Sequence, residues 1–113
     1  MARIIGVCVF RNEGDGCLTS KYVNEMSDPF TESCKLIARE NDDQFSGRYQ
    51  TTWLERMDNG DIRTRSGELL ISQNPEFSSL SLRWVPQRGG EEYEGVGMLF
   101  GDLLVASYWS LPR

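Results

Sequence analysis

The sequence predicts an all-β domain: one antiparallel up-and-down meander of about eight strands closed into a small barrel. Three observations carry that expectation. Short segments alternate apolar or aromatic residues with polar ones, the period of two that a half-buried strand shows. Glycine, Asn-Gly and proline interrupt these segments roughly every dozen positions and supply the turn chemistry of hairpins. The stretch from Gly47 to Trp109 holds all three tryptophans and the most regular alternation.

The candidate strands follow in order. Arg3 to Phe10 is β-branched and aromatic, and the turn Glu13-Gly14-Asp15-Gly16 hands it to Gly16 to Asn24. Ser27-Asp28-Pro29 precedes Thr31 to Ala38, and the charged run Arg39-Glu40-Asn41-Asp42-Asp43 is a loop between the two halves. Asp58-Asn59-Gly60-Asp61 joins Gly47 to Met57 with Ile62 to Ser72. Phe77 to Val85 follows Asn74-Pro75, Tyr93 to Phe100 follows Gln87-Arg88-Gly89-Gly90, and Gly101-Asp102 turns into Leu103 to Trp109. Little room is left for helix. A meander this small must close or expose two sheet edges, and closure is the economical outcome.

Bulk properties bound the function. A chain of 113 residues is expected to form one domain, residues 1–113, with a core that needs no disulfide framework. A net charge of -5 disfavours nucleic acid and anionic membrane surfaces, which select for clustered cations. No apolar run approaches the roughly 20 residues of a membrane-spanning helix. The first residues superficially resemble a signal sequence, but the apolar run is about seven residues and no small-x-small site follows. It reads as a strand, the expected compartment is the cytoplasm, and the three cysteines are expected to be reduced there.

Alternate positions assign inward faces. Leu18, Ser20, Tyr22 and Asn24 share one, Tyr49, Thr51, Trp53 and Glu55 another, and Leu80, Leu82 and Trp84 a third. The last strand has two possible inward sets: Leu104, Ala106 and Tyr108, or Leu103, Val105, Ser107 and Trp109. Rings mixed with hydroxyls and amides suit a ligand pocket, and they equally suit a solid core. Glu55 facing inward calls for an open mouth or a partner such as Arg63 or Arg65. Gly95 and Gly97 bare one face of a strand to a bend, a neighbouring ring or a ligand.

Much chemistry is missing. The chain has no histidine, so the usual general base and the commonest metal ligand are both lacking. Cys8, Cys17 and Cys34 have no Cys-x-x-Cys spacing and make a zinc site improbable. A first hairpin turning at Asn12 to Gly14 would set Cys8 nearly opposite Cys17, within reach of a disulfide in an oxidising compartment. Paired acids such as Asp42-Asp43 and Glu91-Glu92 lie in turns, where solvated loop charge accounts for them. No metal and no cofactor are expected.

The element Gly47-x-Tyr49-x-x-x-Trp53, followed by a meander ending in Leu-Leu-Val-Ala-Ser-Tyr-Trp, resembles the calycins, the lipocalin-like and avidin-like barrels. The portion from Gly47 to Trp109 is similar to a domain of uncharacterised bacterial proteins with Gly-x-Tyr, Leu-x-Trp and Tyr-x-Gly-x-Gly strands. The resemblance implies a barrel that holds a ligand, and it names no particular one.

The leading expectation is non-enzymatic binding of a small, largely apolar ligand. Tyr22, Tyr49, Trp53, Trp84 and Tyr108 are the expected lining, and Ser20, Asn24 and Thr51 the orienting polar groups. The alternative is a filled barrel that self-associates, as a homodimer, through an outer patch of Leu70, Val96, Met98 and Phe100. An enzyme using Glu55 or Asp102 with a tyrosine is the third reading.

Overall fold

A computed structural model describes residues 4–112 of the chain. It consists of eight strands: β1 (Ile5–Gly14), β2 (Cys17–Asn24), β3 (Ser27–Arg39), β4 (Gly47–Arg56), β5 (Ile62–Gln73), β6 (Leu80–Pro86), β7 (Tyr93–Phe100) and β8 (Leu103–Ser110). Every strand pairs antiparallel with its sequence neighbour, and β1 closes on β8 through the register Ile5↔Trp109 to Arg11↔Leu103. The barrel is therefore the up-and-down meander that the alternation predicts. No helix occurs among the described residues. Arg3, the start of the expected first strand, lies outside them.

Period-two burial sorts the side chains as expected on β2, β4 and β6. Leu18, Ser20, Tyr49, Thr51, Trp53, Leu80, Leu82 and Trp84 are all buried. On β8 the ambiguity resolves in favour of Leu104, Ala106 and Tyr108, which are buried, so Trp109 lies on the outer face. Gly95 makes room for this packing: a Cβ there would sit 2.5 Å from the Ser107 carbonyl oxygen and 3.3 Å from the Trp84 ring.

Several boundaries differ from expectation: β1 runs on to Gly14 rather than ending at Phe10, β6 begins at Leu80 rather than Phe77, and two further differences have local reasons. The first hairpin turns at Asp15-Gly16, where Gly14, Asp15 and Gly16 have φ of 89°, 54° and 77°. That register sets Cys8 opposite Tyr22 and Cys17 opposite Gly14, so the expected Cys8–Cys17 apposition does not occur, and all three cysteines are free. β3 begins at Ser27, because the tight turn is at Glu25-Met26 rather than at Ser27-Asp28-Pro29. Proline has no N–H for a ladder, and here it sits in a stretch of strand that lacks a partner on one side. The β3–β4 ladder runs from Arg39↔Gly47 to Ser33↔Thr52 and stops, leaving residues 27–32 of β3 unpaired with β4.

The two ends of the barrel are built differently. At the lower end, the β3–β4 loop tucks Phe45 into the barrel, 2% exposed. Asp43 organises that loop, accepting hydrogen bonds from the backbone N–H of Phe45 (2.8 Å) and Ser46 (2.6 Å) and from Gln73 Nε2 (2.8 Å). The buried Tyr49 hydroxyl donates to the Phe45 carbonyl (2.8 Å). Phe45, Tyr49, Phe10, Leu69, Ile71 and Leu104 fill this half. The upper end, where β1, β3, β5 and β7 begin, is not plugged in this way.

Candidate functional site

The upper half of the barrel holds a cavity of about 50 Å3. Six rings wall it: Tyr22, Phe30, Trp53, Trp84, Tyr93 and Tyr108. Five of them form a connected cluster: Tyr108 touches Tyr22, Trp84 and Tyr93 at centroid separations of 6.4, 5.9 and 5.9 Å, tilted or edge-on, and Tyr22 meets Phe30 edge-on at 6.0 Å. Met26 and Arg56, both exposed, mark the mouth.

Tyr22 explains why the cavity has a defined side wall where β3 and β4 separate. Its hydroxyl donates to the Leu54 carbonyl (2.5 Å) and accepts from the Leu54 N–H (2.7 Å). One phenol thus satisfies both backbone groups that the splayed part of β3 leaves unmet. Asn24 works at the rim, donating to Tyr108 Oη (3.0 Å) while its oxygen accepts from the Met26 N–H (2.8 Å) and so shapes the β2–β3 turn.

At the deep side of the cavity stands Glu32, a carboxyl group on β3 that is 2% exposed. Thr51 and the Trp84 indole N–H (2.8 Å) both donate to its Oε2. Cys34 in turn donates to Thr51 Oγ1 (3.5 Å), so a thiol, a hydroxyl and an indole converge on one acid. Burial pushes the Glu32 pKa from 4.5 to about 7, against the opposing pull of the hydrogen bonds from Thr51, Trp84 and Cys34. Among the described residues no ion pair includes Glu32.

The groups around it hold their protons more firmly. Burial raises the Cys8 and Cys34 thiols and the Tyr22 and Tyr93 phenols, and it raises Tyr108 to about 12. A second carboxylate, Glu55, stands nearer the mouth and is already engaged. It accepts from Tyr93 Oη (2.9 Å) and pairs with Arg65 Nε (3.1 Å), one of the two arginines expected for it.

The eight residues anticipated from sequence divide in two. Tyr22, Asn24, Trp53, Trp84 and Tyr108 line the cavity. Ser20, Tyr49 and Thr51 are buried but do not: Tyr49 belongs to the lower plug, and Thr51 touches Glu32 from behind. The Ser20 hydroxyl is buried with no hydrogen-bond partner among the described residues. Glu32, Phe30, Cys8 and Tyr93 are cavity residues that the alternation argument missed. A signal for the first two was present, since Phe30-x-Glu32-x-Cys34 puts an acid in phase with inward-facing residues. Asp102, offered as a catalytic acid, lies exposed in the β7–β8 turn.

The chain was compared with protein-family models, with curated proteins and with solved structures, and none of them matches it.

Proposed function

We propose that this protein is a calycin-type barrel that binds a small molecule in its upper half without catalysing its conversion. The observation that carries the reading is the division of the interior: side chains fill the lower half, while the upper half holds a ring-walled cavity into which Asn24, Glu32 and Glu55 bring polar groups. A chain selected only for stability has no need of such a cavity, because close packing is what stabilises a core. Three free thiols, two of them buried, suit a reducing compartment, and the cytoplasm is the proposed location.

Trp53 and Trp84 line the cavity, so intrinsic fluorescence reports directly on occupancy. Titration with fatty acids, flavins, haem, biotin and short amines, alcohols and acids is expected to give a saturable change with at least one class. Silence across the panel would sink the proposal.

A second reading, self-association, is favoured by the outer surface. The expected patch is corrected in one respect: Leu70 is flanked by Arg48 and Arg83 in the sheet and does not join it. Ile5, Val7 and Val9 of β1 and Val96, Met98 and Phe100 of β7 are exposed, with Val105 of β8 in register between Val9 and Met98. The occupant proposed is a second copy. A two-fold axis along β8 lays the exposed β1 side chains of one copy over the exposed β7 side chains of the other, so that each apolar patch covers its counterpart. Sedimentation equilibrium tests it, and a monomer at all concentrations, unchanged by Met98→Lys, would refute it.

A further inference from the structure

We infer that the ligand of this cavity is a small organic amine, bound as its ammonium ion against Glu32. The inference rests on the small-molecule reading above and specifies its chemistry. The relation that carries it is a deeply buried carboxyl group, without an ion-pair partner among the described residues, at the base of a cavity walled by aromatic rings.

Three classes of ligand meet this lining differently. An anion such as a fatty-acid carboxylate would face Glu32 and the electron-rich faces of the rings in the interior, and would meet a cation of the lining without an ion pair among the described residues, Arg56, only at the exposed mouth. A neutral apolar molecule would bury Glu32 further without compensation, forcing it to stay protonated. An ammonium ion supplies the missing counter-charge, donates hydrogen bonds to the carboxylate and is attracted by the ring faces of Trp84, Tyr108 and Tyr22. The site is also built to keep Glu32 in place when charged, since Thr51 and Trp84 already hold Oε2 from behind. Arg56 and Arg65 stand toward the mouth, and Arg65 is committed to Glu55. The size of the cavity suits a short alkyl chain, with any longer tail passing out by Met26.

Binding is coupled to the proton on Glu32. The titratable groups around it are Cys8 on β1, Tyr22 on β2, Cys34 on its own strand, Glu55 on β4, Tyr93 on β7 and Tyr108 on β8. Burial holds those thiols and phenols protonated through neutral pH, and Glu55 faces Arg65. Raising the pH through neutrality therefore ionises Glu32 and strengthens the grip on an alkylammonium ion that is still charged.

The test uses three probes of one shape, n-butylamine, n-butanol and n-butyrate, titrated by calorimetry and tryptophan fluorescence between pH 5.5 and 8.5 (round values about the Glu32 transition, ~7). Butylamine is expected to bind at least about tenfold more tightly than butanol at the upper end, with the preference fading toward the lower end and abolished in Glu32→Gln. Glu55→Gln is expected to keep most of the preference. If butanol binds as well as butylamine, or the preference survives Glu32→Gln in a folded variant, the amine assignment is wrong and the cavity reading stands. If no probe binds, and the wider panel is silent too, both fall. The pH dependence of the wild-type protein decides the matter even where Glu32→Gln does not fold.

Discussion

The indole N–H of Trp84 donates to Glu32 Oε2 at 2.8 Å, joining β6 to β3 across the interior of the barrel. The bond fixes one of the two indoles of the cavity and the buried Glu32 carboxyl group relative to each other. Neither residue is placed there by packing alone: Trp84 also stacks on Phe10 (6.4 Å) and leans on Tyr108, while Glu32 is held on its other side by Thr51. A polar contact of this kind, in a low dielectric, is strong when complete and costly when broken.

Its cost should be visible in the pH dependence of stability. Glu32 keeps its proton to about pH 7 when folded, against 4.5 for an ordinary glutamate, so the folded state binds more protons than the unfolded state between those values. Stability attributable to Glu32 is therefore complete at acid pH, falls as pH rises from about 4.5 to about 7, and is level above that. At about 1.4 kcal/mol per pKa unit the loss is at most roughly 3 kcal/mol. Glu32→Gln keeps an oxygen to accept from Thr51 and Trp84 and has nothing to ionise. Its stability relative to wild type, measured by urea unfolding, should be greater at pH 8 than at pH 4.5 by about that amount. A difference that does not change with pH would show that Glu32 is not the buried acid described.

Trp84→Phe keeps most of the ring and deletes the donor. It should destabilise the protein by about 1–3 kcal/mol, and more at pH 8, where the orphaned carboxyl is charged, than at pH 5. The sum of the separate effects of Glu32→Gln and Trp84→Phe should miss the double variant by about 0.5 kcal/mol or more, since the residues share one bond. Because glutamine still accepts from the indole, additive effects at pH 8 would mean that the charge on Glu32 adds nothing to the bond.

Tyr22→Phe removes the hydroxyl that serves both backbone groups of Leu54, where β3 and β4 have parted. Two part-buried polar groups then lose their shared partner, and a loss of about 1–3 kcal/mol is expected. Amide exchange at Leu54 should accelerate far more than at Thr52, which retains its place opposite Ser33 in the ladder. Equal acceleration at both positions would point to general loosening instead.

The architecture was legible in the sequence because its signals are local. Alternation on β2, β4 and β6 reports which side chains face inward, and Asn-Gly, Asp-Gly and Gly-Gly steps report where hairpins turn. The site was half legible for the same reason, since Tyr22, Trp53, Trp84 and Tyr108 follow from parity. Glu32 did not, because its acceptability depends on Thr51 and Trp84, which are 19 and 52 positions away and are brought near only by closure. The separation of β3 from β4 and the Phe45 plug are equally non-local. Pro29 reads as a turn residue in the sequence, yet what it marks is the part of β3 with no partner to its β4 side.

Tyr108 lies in register between Gly6 on β1 and Gly95 on β7, and its ring covers the space that two side chains would otherwise occupy. At Gly95 an added Cβ would meet backbone, the Ser107 carbonyl oxygen at 2.5 Å, which moves only if the β7–β8 ladder opens. At Gly6 it would meet Val23 O and the Tyr108 ring, both at 2.4 Å. Gly95→Ala and Gly6→Ala should each cost about 2–4 kcal/mol, by overpacking of a filled site, and should displace Tyr108 and so alter the cavity. Gly101→Ala is the contrast, because its φ of 63° is unfavourable for alanine but nothing lies within 4 Å of the new methyl. There the cost should be only about 1 kcal/mol, with ligand binding and tryptophan emission unchanged. Thermal unfolding of the three variants separates the cases, and equal penalties would mean that backbone conformation, not the seat of Tyr108, sets the requirement for glycine.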